Sequence, residues 1–247
     1  MQWFILFTLC FATFNANSKI QENSLEQLLN IEIAAYQLSS AFSAYVLFTG
    51  SSKFSQKLEN VIEMNGPILT NAHSSYPAIS EQWQVSLDFI ENNKALVFDD
   101  ADHRLVVSLA SAQNVLYQMI DDKKQFIKQN NLQTSSLLPA LEEYLNTRVS
   151  FERVVAQYIA NAASSSGFAH SDISIEDNVS RFTSRIENNT HNYAGSRRLN
   201  LKWNFVKKNM LKNPGQTSPF ITLHTATVIR DMLQNIYTRE FVTLSNF

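Results

Sequence analysis

Apolar residues recur three and four positions apart through most of this 247-residue chain. Leu28, Ile31, Ala35, Leu38, Phe42 and Tyr45 step in that way, as do Leu105, Leu109, Ala112, Leu116 and Met119. Tyr144, Phe151, Val154 and Tyr158 keep the same stripe, and so do Ala226, Ile229, Leu233 and Ile236. An α-helix turns once in about 3.6 residues, so this spacing lines one face of a helix with apolar groups. No run of strict alternation competes with it, and the fold class expected is all-α. Composition agrees. Five glycines are half or less of average usage, whereas β-sandwiches and phosphate-binding loops spend glycine freely. A 45% hydrophobic content is enough for a packed core.

Caps and breakers divide the chain into eight expected helices, at about 23–49, 53–73, 78–94, 100–130, 137–166, 173–194, 197–211 and 218–241. Ser24 with Gln27 reads as a capping box. Pro139 and Pro219 sit where a first helical turn tolerates a missing N–H, and Ser218 serves as an N-cap. Gly50, Gly167, Gly195 and Gly215 fall between periodic segments. Gly66-Pro67 should kink or break the second helix.

At the N-terminus, Trp3 to Phe14 is an uncharged apolar run followed at once by polar Asn15 to Lys19. The run is short for a membrane span, which needs about 20 residues. It suits a signal peptide over residues 1–18, with Ala16-Asn17-Ser18 as the cleavage site, although Met1-Gln2 carries no positive charge. The expected location is periplasmic or secreted. Removal of the leader would take away Cys10, the one cysteine.

The order of helices repeats, four and then four. Leu25-Glu26-Gln27-Leu28-Leu29-Asn30 matches Leu141-Glu142-Glu143-Tyr144-Leu145-Asn146 at an offset of 116. Trp83 matches Trp203, and Leu109, Leu116 and Tyr117 match Ile229, Ile236 and Tyr237, at an offset of 120. These matches predict an internal duplication: two tandem four-helix-bundle modules, 19–131 and 132–247. Their charges differ. Residues 1–126 carry 7 basic and 13 acidic residues, and residues 127–247 carry 13 and 9. Between 181 and 212, eight basic residues face Glu187 alone. That run has solvated helix faces as its plain reading, and an acidic partner, the first module or phospholipid as the others.

The stretch Ser150-Phe151-Glu152-Arg153-Val154-Val155-Ala156-Gln157-Tyr158-Ile159-Ala160 resembles the G-R-Q-R-M-L-S-Q-R-M-A helix of the type IV pilus methyl-accepting chemotaxis transducer N-terminal domain family. Arg153, Gln157 and Ala160 are kept, and Ser150 and Phe151 depart from the pattern. In the first copy Gln37 stands where Arg153 stands in the second. The resemblance implies an extracytoplasmic helical sensory or binding module and names no ligand. The family's transducers carry membrane spans and cytoplasmic signalling domains that this sequence does not contain.

Arg153 and Gln157 are therefore the candidate ligand-binding residues. A guanidinium suits a small oxyanion held between helices, and Ala156, Ala160 and Ala163 form a small-residue seam beside it. Trp83 and Trp203 read as core residues rather than pocket walls. No catalytic or metal-binding residue stands out. The five histidines, His73, His103, His170, His191 and His224, show no HExxH spacing, and Asp99-Asp100-Ala101-Asp102 lacks the glycine and distal glutamate of a calcium loop. No GxSxG, P-loop or GxGxxG motif occurs. Asn178-Val179-Ser180 and Asn188-Asn189-Thr190 have the form of glycosylation acceptors. The reading is a non-enzymatic binding or sensory module without a cofactor. The partners expected are a small anion or metabolite and a membrane or envelope protein, with a homodimer also open and nucleic acid not expected. A structural adaptor in an envelope or pilus-associated assembly is the alternative.

Overall fold

The computed structural model describes residues 2–99, 103–130, 139–164, 174–189, 196–212 and 218–242, with side chains of the first helix from Leu25 onward. The Asp100–Asp102 run, Gly167, Gly195, Gly215, His170, His191 and the expected module boundary at 131/132 lie outside them. Among the described residues the chain is all-helical. The elements are α1 (Gln2–Leu47), α2 (Ser52–Ser75), α3 (Pro77–Asn93), a single turn α4 (Leu96–Asp99), α5 (Arg104–Asn130), α6 (Pro139–Ala163), α7 (Ile175–Asn189), α8 (Ser196–Met210) and α9 (Pro219–Tyr237). A π-helical turn, Thr238–Val242, closes the described chain. No helix among the described residues is long and apolar enough to cross a membrane.

Seven of the expected helices lie close to observed ones. The first does not begin at the Ser24 capping box, because α1 runs unbroken from Gln2. Neither glycine nor proline occurs between residues 2 and 47 to stop it. Likewise α2 continues through Pro67. The Pro67 ring is exposed, and the helix passes it without ending. At the C-terminus of α1 the Gly50 N–H donates to Tyr45 O and the Thr49 N–H to Val46 O. This is a Schellman closure with Thr49 at φ 50°, where glycine is the usual occupant.

Helices α2 and α5 pack on α1 and α3 packs on both of them, and α7, α8 and α9 follow in sequence from α6, with α9 returning to it. The most extensive helix–helix contact joins the two sets, between α1 and α6. Both helices are buried on nearly every side over Leu25–Val46 and Tyr144–Ala163. A helix that is apolar all round belongs at the centre of a fold, and this pair forms its axis. The buried apolar side chains of both sets make one contiguous cluster. Trp83 and Trp203 are both in it. Trp203 sits edge-on to Phe182 at 4.6 Å and donates its indole N–H to Thr183 Oγ1 at 2.9 Å.

Candidate functional site

A charge carried on either central helix leaves water on folding and needs a partner. Glu32 on α1 and Glu152 on α6 are each 1% exposed. Glu32 Oε1 accepts from Arg153 Nη2 at 2.9 Å, and Glu32 Oε2 accepts from Lys124 Nζ of α5 at 2.6 Å. Arg153 Nε donates to Tyr36 Oη at 2.7 Å, and Tyr36 stacks on Tyr117 at 4.3 Å. Lys124 also meets Asp121 at 2.6 Å. Burial opposes the Arg153 charge, but Tyr36 and Glu32 outweigh it and hold the guanidinium's pKa above its ordinary value.

The second carboxylate is held differently. Arg230 of α9 donates Nε to Glu152 Oε1 at 2.8 Å and Nη2 to Glu152 Oε2 at 2.6 Å, a bidentate fork. Gln37 Nε2 of α1 adds a bond to Glu152 Oε1 at 3.0 Å. Both carboxylates are thus tied across the α1–α6 contact.

The direction of that contact follows from α9. Tyr144 Oη donates to Leu233 O while Glu152 meets Arg230, so α9 runs antiparallel to α6. Phe220 lies against Phe48 and Arg230 reaches Ser40, so α9 is antiparallel to α1 as well. Helices α1 and α6 are therefore parallel. The offset of 116 maps Tyr36 onto Glu152 and Gln37 onto Arg153. The observed pairs are Arg153 with Tyr36 and Gln37 with Glu152. Exchanging the two helices turns one pair into the other, the reciprocity that a two-fold axis imposes on a self-complementary interface.

Two openings flank the pair. A polar cleft of about 600 Å³ lies between α1, α5, α6 and α7, with Arg153, Lys124, Glu32, Asn178, Arg181 and Arg185 in its wall. The sequence candidate Arg153 lines this cleft, with Nε and Nη2 committed to Tyr36 and Glu32. Gln157 lies one turn on, where its Oε1 accepts from Asn178 Nδ2 at 2.8 Å. Of the two candidates only Arg153 lines the cleft; Gln157 lies behind its wall and reaches it through Asn178. Ala156, Ala160 and Ala163 are buried beside them. Asn178 is buried and bonded to Gln157, so in the folded protein it is closed to glycosylation.

The other opening, about 570 Å³, is bounded by α1, α2, α6 and α9. Its apolar floor comes from Ala41, Ala44, Phe54, Val61 and Leu223, and Lys57 and Arg148 supply positive charge, the guanidinium of Arg230 being paired with Glu152. Asp231 is the one acid in its wall. No family model, curated protein or solved structure matches this chain. The chemistry of the cavity must therefore be read from its own atoms. Asn65, 5% exposed, lines it, and Asn65 Nδ2 has no hydrogen-bond partner. Lys57 makes no ion pair among the described residues. Burial, then Lys53 and Arg230, hold its pKa below the ordinary lysine value. Lys57 Nζ lies over the Phe54 ring at 5.4 Å, and a buried amide donor with an ammonium that has no ion pair among the described residues, at the wall of one apolar-floored cavity, suits an acceptor group with negative charge.

Glu32, Glu152, Arg230, Lys57 and Asn65 did not stand out in the sequence. Glu32 left one signal: it interrupts the apolar run Ile31-Glu32-Ile33-Ala34-Ala35. Glu152, beside Arg153, reads as an ordinary i,i+1 surface pair until the helix is known to be central.

Proposed function

We propose that the chain is a non-enzymatic, exported ligand-binding module. Its site is the cavity between α1, α2, α6 and α9, and its ligand is a small organic anion with an apolar body. The observation that carries this reading is the unpartnered Asn65 Nδ2, buried in a 570 Å³ cavity whose cations outnumber its acids. Cavities of this size suit drug-sized and metabolite-sized molecules. The carboxylate or phosphate of such a ligand would meet Lys57, Arg148 and Asn65, and its body would lie on Phe54 and Leu223. The walls come from both helix sets, so an occupant would bridge them and favour one relative packing, which is how a sensory module transmits binding. The lone pairs of both buried carboxylates are committed to cations and amides, which supports binding rather than proton-transfer chemistry. The reciprocal α1–α6 pairing supports an origin by duplication of a four-helix unit, paired as a dimer would pair.

The test is thermal stability of the chain with medium-chain fatty acids and aryl carboxylates, each against its matching alcohol. A ligand at 100 times its Kd stabilises by about 2.7 kcal/mol. The acids should raise the melting temperature and the alcohols should not. Asn65→Leu removes a buried, unpartnered donor and should leave the unliganded protein as stable or more so. Combined with Lys57→Met it should abolish the response. An equal response from this variant, or none from any acid, overturns the reading.

A further inference from the structure

The geometry points to a second surface, independent of the cavity: the outward face of α8 is a docking site for an anionic lipid bilayer. Helix α8 buries Leu199, Trp203, Val206 and Met210 on one side. At about 100° per residue, Arg197, Leu201, Phe205 and Lys208 fall on the opposite side, with Arg198 at its margin, and Lys212 follows two residues beyond the helix end. The outward side of a core-packed helix is ordinarily polar throughout. Here Leu201 is 65% and Phe205 57% exposed, and the four cations around them are exposed as well. Residues 196–212 contain six Lys and Arg and no Asp or Glu. None of these cations forms an ion pair among the described residues.

Charge complementarity selects the occupant. Apolar side chains set between cations fit the boundary of headgroups and acyl chains, where Leu and Phe enter the apolar layer and Lys and Arg meet phosphates. A nucleic acid would use the cations, but Leu201 offers no ring for a base to stack on. The acidic balance of residues 1–126 turns the rest of the molecule away from an anionic surface, so the face also sets an orientation. A module that meets its ligand outside the cytoplasm would thereby be held at a membrane surface.

Co-sedimentation of the full chain with vesicles tests this. Vesicles of phosphatidylcholine containing ~30% phosphatidylglycerol should bind the protein at least ~100-fold more strongly than phosphatidylcholine alone, and ~0.5 M salt should remove most of the difference. Lys208→Glu with Lys212→Glu should abolish binding. Leu201→Ser with Phe205→Ser should weaken it ~10-fold or more while leaving the cations in place. All four positions are exposed, so an unchanged melting temperature identifies a folded variant. In Phe205→Trp, a blue-shifted emission on anionic vesicles would report entry of the ring into the apolar layer. The proposal is overturned if vesicles do not bind, if the Leu201/Phe205 variant binds as the parent does, or if only duplex DNA is bound.

Discussion

Glu32 and Glu152 pose the same physical problem, a carboxylate 1% exposed on a central helix, and the two halves of the molecule solve it differently. Glu32 shares its charge between Arg153 and Lys124, which come from different helices, and a tyrosine steadies the guanidinium. Glu152 depends on one arginine in a bidentate fork, with Gln37 as a neutral second donor. The repeat does not relate these arrangements. The offset of 116 places Arg148 where Glu32 stands and Glu152 where Tyr36 stands, and the offset of 120 places Ala110 opposite Arg230. The charge network therefore does not follow the sequence matches at offsets of 116 and 120.

The difference sets the size of response to losing a cation. Among the described residues Glu152 has no second cation, so Arg230→Ala should give the largest loss, about 3–5 kcal/mol, the cost of leaving a buried carboxylate unpaired. Chemical unfolding in urea measures it. A double change, Arg230→Met with Glu152→Leu, should recover most of the loss, since two apolar groups leave no charge to satisfy. If Arg230→Ala costs under about 1 kcal/mol, water reaches Glu152 and the buried-pair description fails.

Arg153→Ala should cost less, about 1–3 kcal/mol, because Lys124 still holds Glu32. This variant also separates two roles for the residue. Its guanidinium is committed to Glu32 and Tyr36, so the unliganded protein itself should lose stability. Adding Lys124→Met should cost more than the two single changes together, since only the double variant strands the carboxylate. Strict additivity would show that Lys124 and Arg153 do not back each other up.

The same contrast marks where sequence reasoning reached and where it stopped. The three-and-four spacing located the core stripe of α1 together with α5, α6 and α9, because an amphipathic helix writes its buried face into its apolar positions, and caps and breakers located the rest. The start of α1 was misplaced because Ser24 and Gln27 have the composition of a capping box, and only the absence of any breaker opposes it. Arg153 was visible through its motif. Glu152 and Arg230 were not, because a charge on a central helix looks like a charge on a peripheral one until the contacts decide which helices are central. Asn65 and Lys57 both belong to α2, and only the packing of α2 against α1, α6 and α9 shows that a cavity opens beside them.

Alkaline pH separates the two layers by a smaller effect. Burial raises the Tyr36 hydroxyl above the ordinary tyrosine value, with Glu32 adding to it and Arg153 partly offsetting it. Tyr117 is raised by burial, then by Tyr36 and Glu32. Lys124 is raised too: burial opposes its charge, but Glu32 and Asp121 outweigh it. Each group holds its proton more tightly folded than unfolded. Its stabilising share is therefore complete below the unfolded value, about 10 for tyrosine, and is lost as pH rises past it. Half a unit above that value each tyrosine withdraws about 0.8 kcal/mol. These three groups surround Glu32, whereas the cation on Glu152 is an arginine whose raised pKa lies far beyond this range. Between pH 9 and 10.5 the parent should lose stability more steeply than Tyr117→Phe, and Arg230→Met/Glu152→Leu should lose it as steeply as the parent. Equal slopes for the parent and Tyr117→Phe would mean that water reaches the stacked tyrosines, and that the Glu32 layer is no drier than the cleft beside it.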